Sequence, residues 1–288
     1  MSNIKLDFII AGAEKSGTTF LVNALRQSND IFIPEREIRH FRNPFFPDRE
    51  KLEDYFSDNK EHRLYGIKHP SYLGRENVPE RIHTHNPSVK LIFILRNPIE
   101  RAISSYQHYV KNGQISAIHP NTGITAMLAN PNSSPKYKDI LQFGLYGKYI
   151  KIFLNYFSLN QMFFIEYDQF FKEKNLENLC TFLDINKITI DSFSHINKGN
   201  YDWNKSLLSS IRSELYNQYD NEMNITGRRN ISFQKNIDKS FLTIQNLLPS
   251  EEIEIDEEII NILHDYYYDD VTELNSLGVI DTKHWLKK

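Results

Sequence analysis

Cysteine is almost missing from this chain: Cys180 is the only one among 288 residues. No disulfide can close within it, and the paired cysteine spacing of a structural zinc site does not occur. Long apolar runs are missing too. No stretch reaches the roughly 18 residues that a membrane-spanning helix needs, so no membrane span is expected. The opening MSNIKLDFII passes from polar residues into a strand-like run without the apolar segment and small-residue cleavage site of a secretory leader. The expected location is therefore cytoplasmic. Nor is there an excess of positive charge. Lysine and arginine number 34 against 37 aspartates and glutamates, a formal net charge of −3, whereas a general nucleic-acid binder carries a basic surplus to neutralise phosphates. Nucleic acid is excluded as a partner, and any anion site has to be local. His, Asp and Glu do not cluster at ligand spacing, so no metal is expected.

What is present reads as a globular α/β protein, with 40% hydrophobic and 25% charged residues. Four short apolar runs flanked by breakers predict buried strands: DFIIAG at 7–12, LYGIK at 64–68, VKLIFILR at 89–96 and QMFFIEY at 161–167. Helix-like stretches alternate with them, over 17–27, 78–84, 98–110 (with Pro98 in its first turn), 144–157 and 173–183, and an amphipathic helix near 256–276 precedes Trp285. Alternation of this kind predicts a P-loop-like three-layer fold, a central mainly parallel sheet flanked by helices, in one domain over 1–288. Ligands gather at the carboxyl ends of the strands in such sheets. Residues 112–140, rich in Asn, Pro, Ser and Gly, read as a long acceptor-side loop, and the polar stretch 197–250 as an irregular insertion. The tyrosines at 266–268 read as packing for one helix face.

The first strand runs into AGAEKSGTTF. Gly12 and Gly17 stand at the G-x-x-x-x-G spacing, and Thr18 and Thr19 open the next helix, whose backbone N–H groups and dipole suit a phosphate. In an ATP-binding Walker loop the lysine follows the second glycine directly; here Lys15 precedes Gly17 by two residues. The strand at 89–96 ends in Arg96, where a nucleotide hydrolase often places an acidic metal ligand. The loop suits phosphate without metal.

KSGTTF resembles the 5′-phosphosulfate loop of the sulfotransferases that use 3′-phosphoadenylyl sulfate (PAPS). RNPIERAISSYQH resembles that family's second signature, an arginine closing a strand and a serine eight positions on. The resemblance covers roughly 6–183 and 256–286, and it implies PAPS as donor, no metal, and a saccharide or small-molecule acceptor bearing a hydroxyl or, as the weaker choice, an amine. It implies that Lys15, Ser16, Gly17, Thr18 and Thr19 hold the 5′-phosphosulfate and that Arg96 and Ser104 hold the 3′-phosphate; Arg101, in the same stretch, is read as making structural pairs. PEREIRHF resembles the segment that carries the catalytic glutamate of carbohydrate-acting members and maps it onto Glu37. YGIKHPSYL resembles the strand whose lysine, Lys68, lies near the sulfate. The same segment makes His69 a rival base, because a lysine–histidine strand end belongs to the small-molecule branch. For the loop covering the donor, Lys198 and Gly199 are the candidates, with Arg228 and Arg229 in competition. Sulfuryl transfer asks for a base within hydrogen-bond reach of the acceptor and a cation at the departing oxygen; Glu37 is the first choice for one, Lys15 and Lys68 for the other. A P-loop kinase or NTPase, and an inactive PAPS-binding module, are the rival readings.

Overall fold

The run FIIAG forms β1 (Phe8–Gly12), buried at every position, as a strand covered on both faces must be. A computed structural model describes residues 5–42, 52–56, 62–170, 172–188 and 253–287, with isolated helical positions between 204 and 247. β2 (Ile31–Phe32), β3 (Leu64–Lys68), β4 (Lys90–Leu95) and β5 (Met162–Glu166) complete a five-stranded sheet in the order β2-β3-β1-β4-β5. Every pairing is parallel. This is the helix-flanked parallel α/β architecture the sequence predicts, with β2 in addition; two residues are too short to leave a pattern. Among the described residues the continuous helices are α1 (Thr18–Leu25), α2 (Val78–His85), α3 (Pro98–Lys111), α4 (Pro120–Ala129), α5 (Tyr137–Ile140), α6 (Tyr146–Leu154), α7 (Glu173–Leu183) and α8 (Glu257–Ser276).

The chain divides into two compact units. The first comprises Met1–Arg101, Leu141–Ile196 and His264–Lys288, and the second Ala102–Ile140 and Asn197–Leu263. In the first, one sheet face is sealed by Leu21, Val22 and Leu25 of α1 and by Leu176, Leu179 and Leu183 of α7, packed on Phe8, Ile10, Ile92, Ile94 and Ile165. These spacings put each helix's apolar stripe on a single side. On the other face Phe93 of β4 meets Phe153 of α6 edge-on, ring centroids 5.1 Å apart. The C-terminal segment is tied to the sheet by Glu166, whose carboxylate accepts from the Trp285 indole at 3.0 Å and pairs with His284 at 2.6 Å.

In the second unit, residues 112–140 hold α4 and α5 instead of one long loop. Pro120 opens α4, and the His119 ring accepts from the Asn121 N–H at 3.4 Å. Gly123 is required because the Tyr106 hydroxyl lies 1.9 Å from where a β-carbon would sit. Turn-like composition here serves a capped helix under tight packing. The expected insertion at 197–250 lies outside the described residues apart from isolated helical positions. Among the described residues no helix is long and apolar enough to cross a membrane.

Candidate active site

The carboxyl ends of β1, β3, β4 and β5 lie along one edge of the sheet, where Ile10 pairs with Lys68, Gly12 with Phe93 and Leu95 with Glu166. β1 passes into α1 through Ala13–Gly17. The carbonyl of Pro70 and Cβ of Leu73 approach to 2.8 and 2.9 Å of where a Gly12 β-carbon would sit, so only glycine lets the two chain segments meet. Lys15 has φ 66 and Gly17 φ 79. Two left-handed residues bend the strand end sharply into the helix. Gly17 is the N-cap and carries no side chain to satisfy α1, so the first-turn N–H groups are offered to an incoming anion. Ser16 is fully buried and Thr18 nearly so, while Thr19 is exposed.

Lys68 ends β3 with its ammonium 3.1 Å from the Thr19 hydroxyl and 2.8 Å from the Glu37 carboxylate. Glu37 comes to this place through its neighbours. The Arg26 guanidinium binds the Ile33 and Pro34 carbonyls at 3.1 and 2.5 Å, the Ile38 N–H donates to the Lys68 carbonyl at 3.2 Å, and the Tyr72 hydroxyl donates to the Ile38 carbonyl at 2.5 Å. Buried Ile38 anchors the segment, and the Glu37 side chain stays 45% exposed. A carboxylate that is fixed at its backbone and open at its tip can meet an acceptor from solvent.

Arg96 follows β4. Its guanidinium is held by Glu100 at 2.9 and 3.0 Å and lies 5.0 Å over the Tyr167 ring. It also reaches the Lys15 carbonyl at 3.5 Å. Tyr167 is a residue the sequence reading did not single out. Its ring floors Arg96 and lies within 3.1 and 3.2 Å of the position a Gly17 β-carbon would take, so one aromatic face aligns the loop with the arginine. Ser104 stands on α3, buried. Lys15, Ser16, Gly17, Thr18, Thr19, Glu37, Lys68, His69 and Arg96 all belong to the first unit, and Ser104 to the second. Lys198, Gly199, Arg228 and Arg229 lie outside the described residues.

His69 is buried, stacked on Tyr72 with centroids 4.7 Å apart, and its Nδ1 lies 3.1 Å from the Ser71 hydroxyl and 3.3 Å from its N–H. Burial, then the charges of Arg42, Arg75, Arg39 and Lys68, push its pKa down to about 3. The ring is neutral at physiological pH.

Arg101, in the first turn of α3, is fully buried. Burial works against its charge, but the phenols of Tyr267 and Tyr146 and the carboxylate of Glu14 outweigh it and hold the pKa above its ordinary value. Neither tyrosine carries a motif; each is recognisable only once α6 and α8 are in place. No group of three or more His, Cys, Asp or Glu suited to a metal occurs among the described residues.

The family model described as sulfotransferase domain matches residues 5–261. Heparan sulfate glucosamine 3-O-sulfotransferase 3A1 of Mus musculus is 28% identical over 196 residues, which cover 66% of this chain and 48% of that protein. Heparan sulfate glucosamine 3-O-sulfotransferase 5 of Homo sapiens is 29% identical over 170 residues, 57% of this chain and 49% of that protein. The chain thus spans about half the length of the curated relatives it matches. The crystal structure of a sulfotransferase from Alicyclobacillus acidocaldarius superposes with a TM-score of 0.70 at 19% identity, over 99% of this chain and 100% of that one; it shows a common fold.

Proposed function

The chain belongs to the sulfotransferase domain family, and from that premise we propose that it transfers the sulfonate group of PAPS to a hydroxyl of a sugar-containing acceptor. We treat residues 1–288 as a single catalytic domain, since the family match runs through both compact units. The observation that carries the reading is Lys68, whose one ammonium touches the anion loop at Thr19 (3.1 Å) and the carboxylate of Glu37 (2.8 Å). A phosphate-binding loop, a cation and a candidate base thereby meet within a few ångströms.

The donor, when bound, supplies the sulfonate: its bridging S–O bond breaks as the acceptor O–S bond forms. In this reading Lys15, Ser16, Gly17, Thr18 and Thr19 hold the 5′-phosphosulfate, with α1's first-turn amides and positive end as the main attraction. Arg96, set by Glu100 and Tyr167, and Ser104 take the 3′-phosphate; a planar guanidinium suits bidentate phosphate binding. Glu37 takes the acceptor proton. Lys68 and Lys15 meet the negative charge that grows on the departing phosphate oxygen. The Lys68–Glu37 pair is half exposed at the carboxylate and holds the ground state weakly, so Lys68 can turn towards the leaving oxygen as Glu37 takes up a proton.

Glu37 is the better base than His69. The His69 ring is buried and stacked on Tyr72, whereas the Glu37 carboxylate is 45% exposed and open to an acceptor. The acceptor class rests on the names of the relatives, which place their chemistry on heparan sulfate glucosamine.

The test is calorimetric titration with 3′-phosphoadenosine 5′-phosphate and with ADP, both in chelator. The expected result is tight binding of the first and binding of ADP at least tenfold weaker, since ADP lacks the 3′-phosphate that Arg96 would hold. Equal binding of the two removes the donor assignment. Transfer of labelled sulfonate to O-desulfated heparan-type polysaccharide in the same buffer then tests the acceptor class, with neutral oligosaccharides expected to be inert.

A further inference from the structure

β5 stands at an edge of the sheet: among the described residues it pairs with β4 alone. Its last residue, Glu166, is in register with Leu95, so Tyr167 and Arg96 leave two neighbouring strands side by side, and the guanidinium comes to lie 5.0 Å over the phenol ring. The ladder ends at that pair. Beyond it the direction of the chain has to be set by side chains, and Tyr167 has an anchor on either side in sequence. Downstream, buried Phe170 closes the short turn Tyr167–Gln169 and meets Phe20 of α1 edge-on, ring centroids 5.4 Å apart. Upstream the anchor is Glu166.

The Glu166 side chain is 8% exposed, and a carboxylate so buried persists only where donors replace the water it has lost. It caps no backbone N–H of its own turn. One carboxylate oxygen instead accepts twice, from the Trp285 indole at 3.0 Å and from the His284 ring at 2.6 Å. Those donors are themselves fixed. The Thr282 N–H donates to the Asn275 side chain at 2.9 Å and the His264 ring N–H to the Leu286 carbonyl at 3.0 Å, so segment 282–286 is bonded to α8 at both its ends and to the end of β5 in its middle. Trp285 is buried, its ring centroid 6.3 Å from that of Tyr146 on α6. A buried, hydrogen-bonded carboxylate adds little stability over an apolar residue of its size, but it accepts only donors that come from set directions. Such an arrangement fixes geometry, and the geometry it fixes is that of the residue before Tyr167.

Resting on the donor-site reading of Arg96 and the Gly17 loop, we propose that Glu166, Trp285 and His284 form a latch of positioning residues for the donor. The latch fixes the exit of β5, so that the Tyr167 ring lies under Arg96 and against Gly17, the two places assigned to the donor's 3′- and 5′-phosphates. The three residues act through Tyr167 and belong to neither phosphate-holding set. The segment that follows α8 thereby serves the donor site from the edge of the sheet.

The experiment is a double-mutant cycle read by calorimetry with 3′-phosphoadenosine 5′-phosphate on the full chain. The latch variant joins Trp285→Phe to His284→Ala, which removes both donors and keeps an aromatic ring beside Tyr146; it is compared with wild type, with Tyr167→Leu and with the combination. The latch variant and Tyr167→Leu are each expected to weaken the probe by about tenfold, and the combination to lose less than about threefold beyond Tyr167→Leu, because without the ring the latch has nothing left to place. A merely structural contribution would lower affinity by the same factor in both backgrounds, so equal losses overturn the proposal. A latch variant that binds as wild type does overturns it too, and in both cases wild-type binding leaves the donor reading standing. Wild type that does not bind the probe overturns the donor reading and the proposal with it. Should circular dichroism show the latch variant unfolded, Trp285→Phe alone takes its place, since it removes one hydrogen bond and keeps the packing. A loss of about threefold that disappears in the Tyr167→Leu background supports the latch; no loss, or the same loss in both backgrounds, overturns it.

Discussion

Lys68→Met separates the two things Lys68 does, because it removes the ammonium and leaves an unbranched stem of similar length. In the resting protein the ammonium contributes a hydrogen bond to Thr19 at 3.1 Å and an ion pair to Glu37 at 2.8 Å. With Glu37 45% exposed, that pair counts as a surface bridge worth at most about 1 kcal/mol. A loss of that size lowers the melting temperature of a chain this long by no more than about 2–4 °C. In the proposed transition state the same ammonium would face an oxygen acquiring charge in a site closed off by donor and acceptor. Removing one such preorganised group costs about 3–4 kcal/mol, or about 10²–10³ in kcat. The catalytic term exceeds the structural one about threefold, so a fall in kcat of at least about a hundredfold is expected with the melting curve nearly in place. Affinity for 3′-phosphoadenosine 5′-phosphate should fall less than tenfold, because the α1 amides, Lys15 and Arg96 remain. The assay is release of that nucleotide from PAPS in the presence of O-desulfated heparan-type polysaccharide, with calorimetry and a thermal melt run in parallel. A kcat within threefold of wild type, or a loss of affinity as large as the loss of kcat, would refute the assignment of Lys68 to the departing oxygen.

Glu37→Gln keeps the shape of the side chain and removes the base, so kcat should drop by about 10²–10⁴ while donor affinity holds; a variant keeping most of its kcat sends the search for the base elsewhere. His69→Gln should keep kcat within about tenfold and lose about 1–3 kcal/mol of stability, since the ring is buried between Tyr72 and Ser71; chemical denaturation reads the second effect, and a kcat loss as large as that of Glu37→Gln would reverse the ranking. Gly17→Ala puts a side chain at φ 79 and 3.1 Å from the Tyr167 ring, and should weaken 3′-phosphoadenosine 5′-phosphate at least tenfold, with a stability cost of about 1–2 kcal/mol; calorimetry showing wild-type affinity would remove Tyr167 as the floor of the loop. Asp270 caps α6 by accepting from the Gly147 and Lys148 N–H groups at 2.9 and 2.8 Å, yet burial pushes its pKa up from 3.8 to about 6. The folded state therefore holds this proton more tightly than the unfolded chain, so the stabilisation is complete below about pH 4 and is lost as pH rises through 6. The gap corresponds to about 3 kcal/mol. The difference in unfolding free energy between wild type and Asp270→Asn should change by about that amount between pH 4 and 7, and a flat difference would show that the capping bonds offset burial.

How much of this could be read before folding depended on whether a residue's role is set by its neighbours in sequence or in space. Strands β1, β3, β4 and β5 announce themselves because a strand buried on both faces must be a continuous apolar run. The donor loop announces itself because the turn from strand to helix needs glycines at fixed spacing, with Lys15 and the threonines following the same local logic. Glu37 and Lys68 were named by motif, but their meeting at 2.8 Å depends on the Ile38–Lys68 and Tyr72–Ile38 hydrogen bonds, which join segments about thirty residues apart. β2 and α4 failed for opposite reasons: β2 is too short to carry a period, and α4 is punctuated by the Pro, Asn and Gly that normally mark loops, with Gly123 present because of Tyr106. The aromatic residues Tyr146, Tyr167 and Tyr267 form a third class. Each sits in a stretch that reads as ordinary core, and the tyrosines at 266–268 read as packing for a helix face. Tyr267 is buried as that reading requires, but its hydroxyl also donates to the Leu141 carbonyl at 2.7 Å. A phenol is apolar in its body and polar at its tip, so packing and hydrogen bonding coexist in one side chain, and periodicity reports only the first. The groups proposed to touch phosphate are legible in sequence, whereas the buried aromatic residues packed behind them become visible only once α6 and α8 are folded.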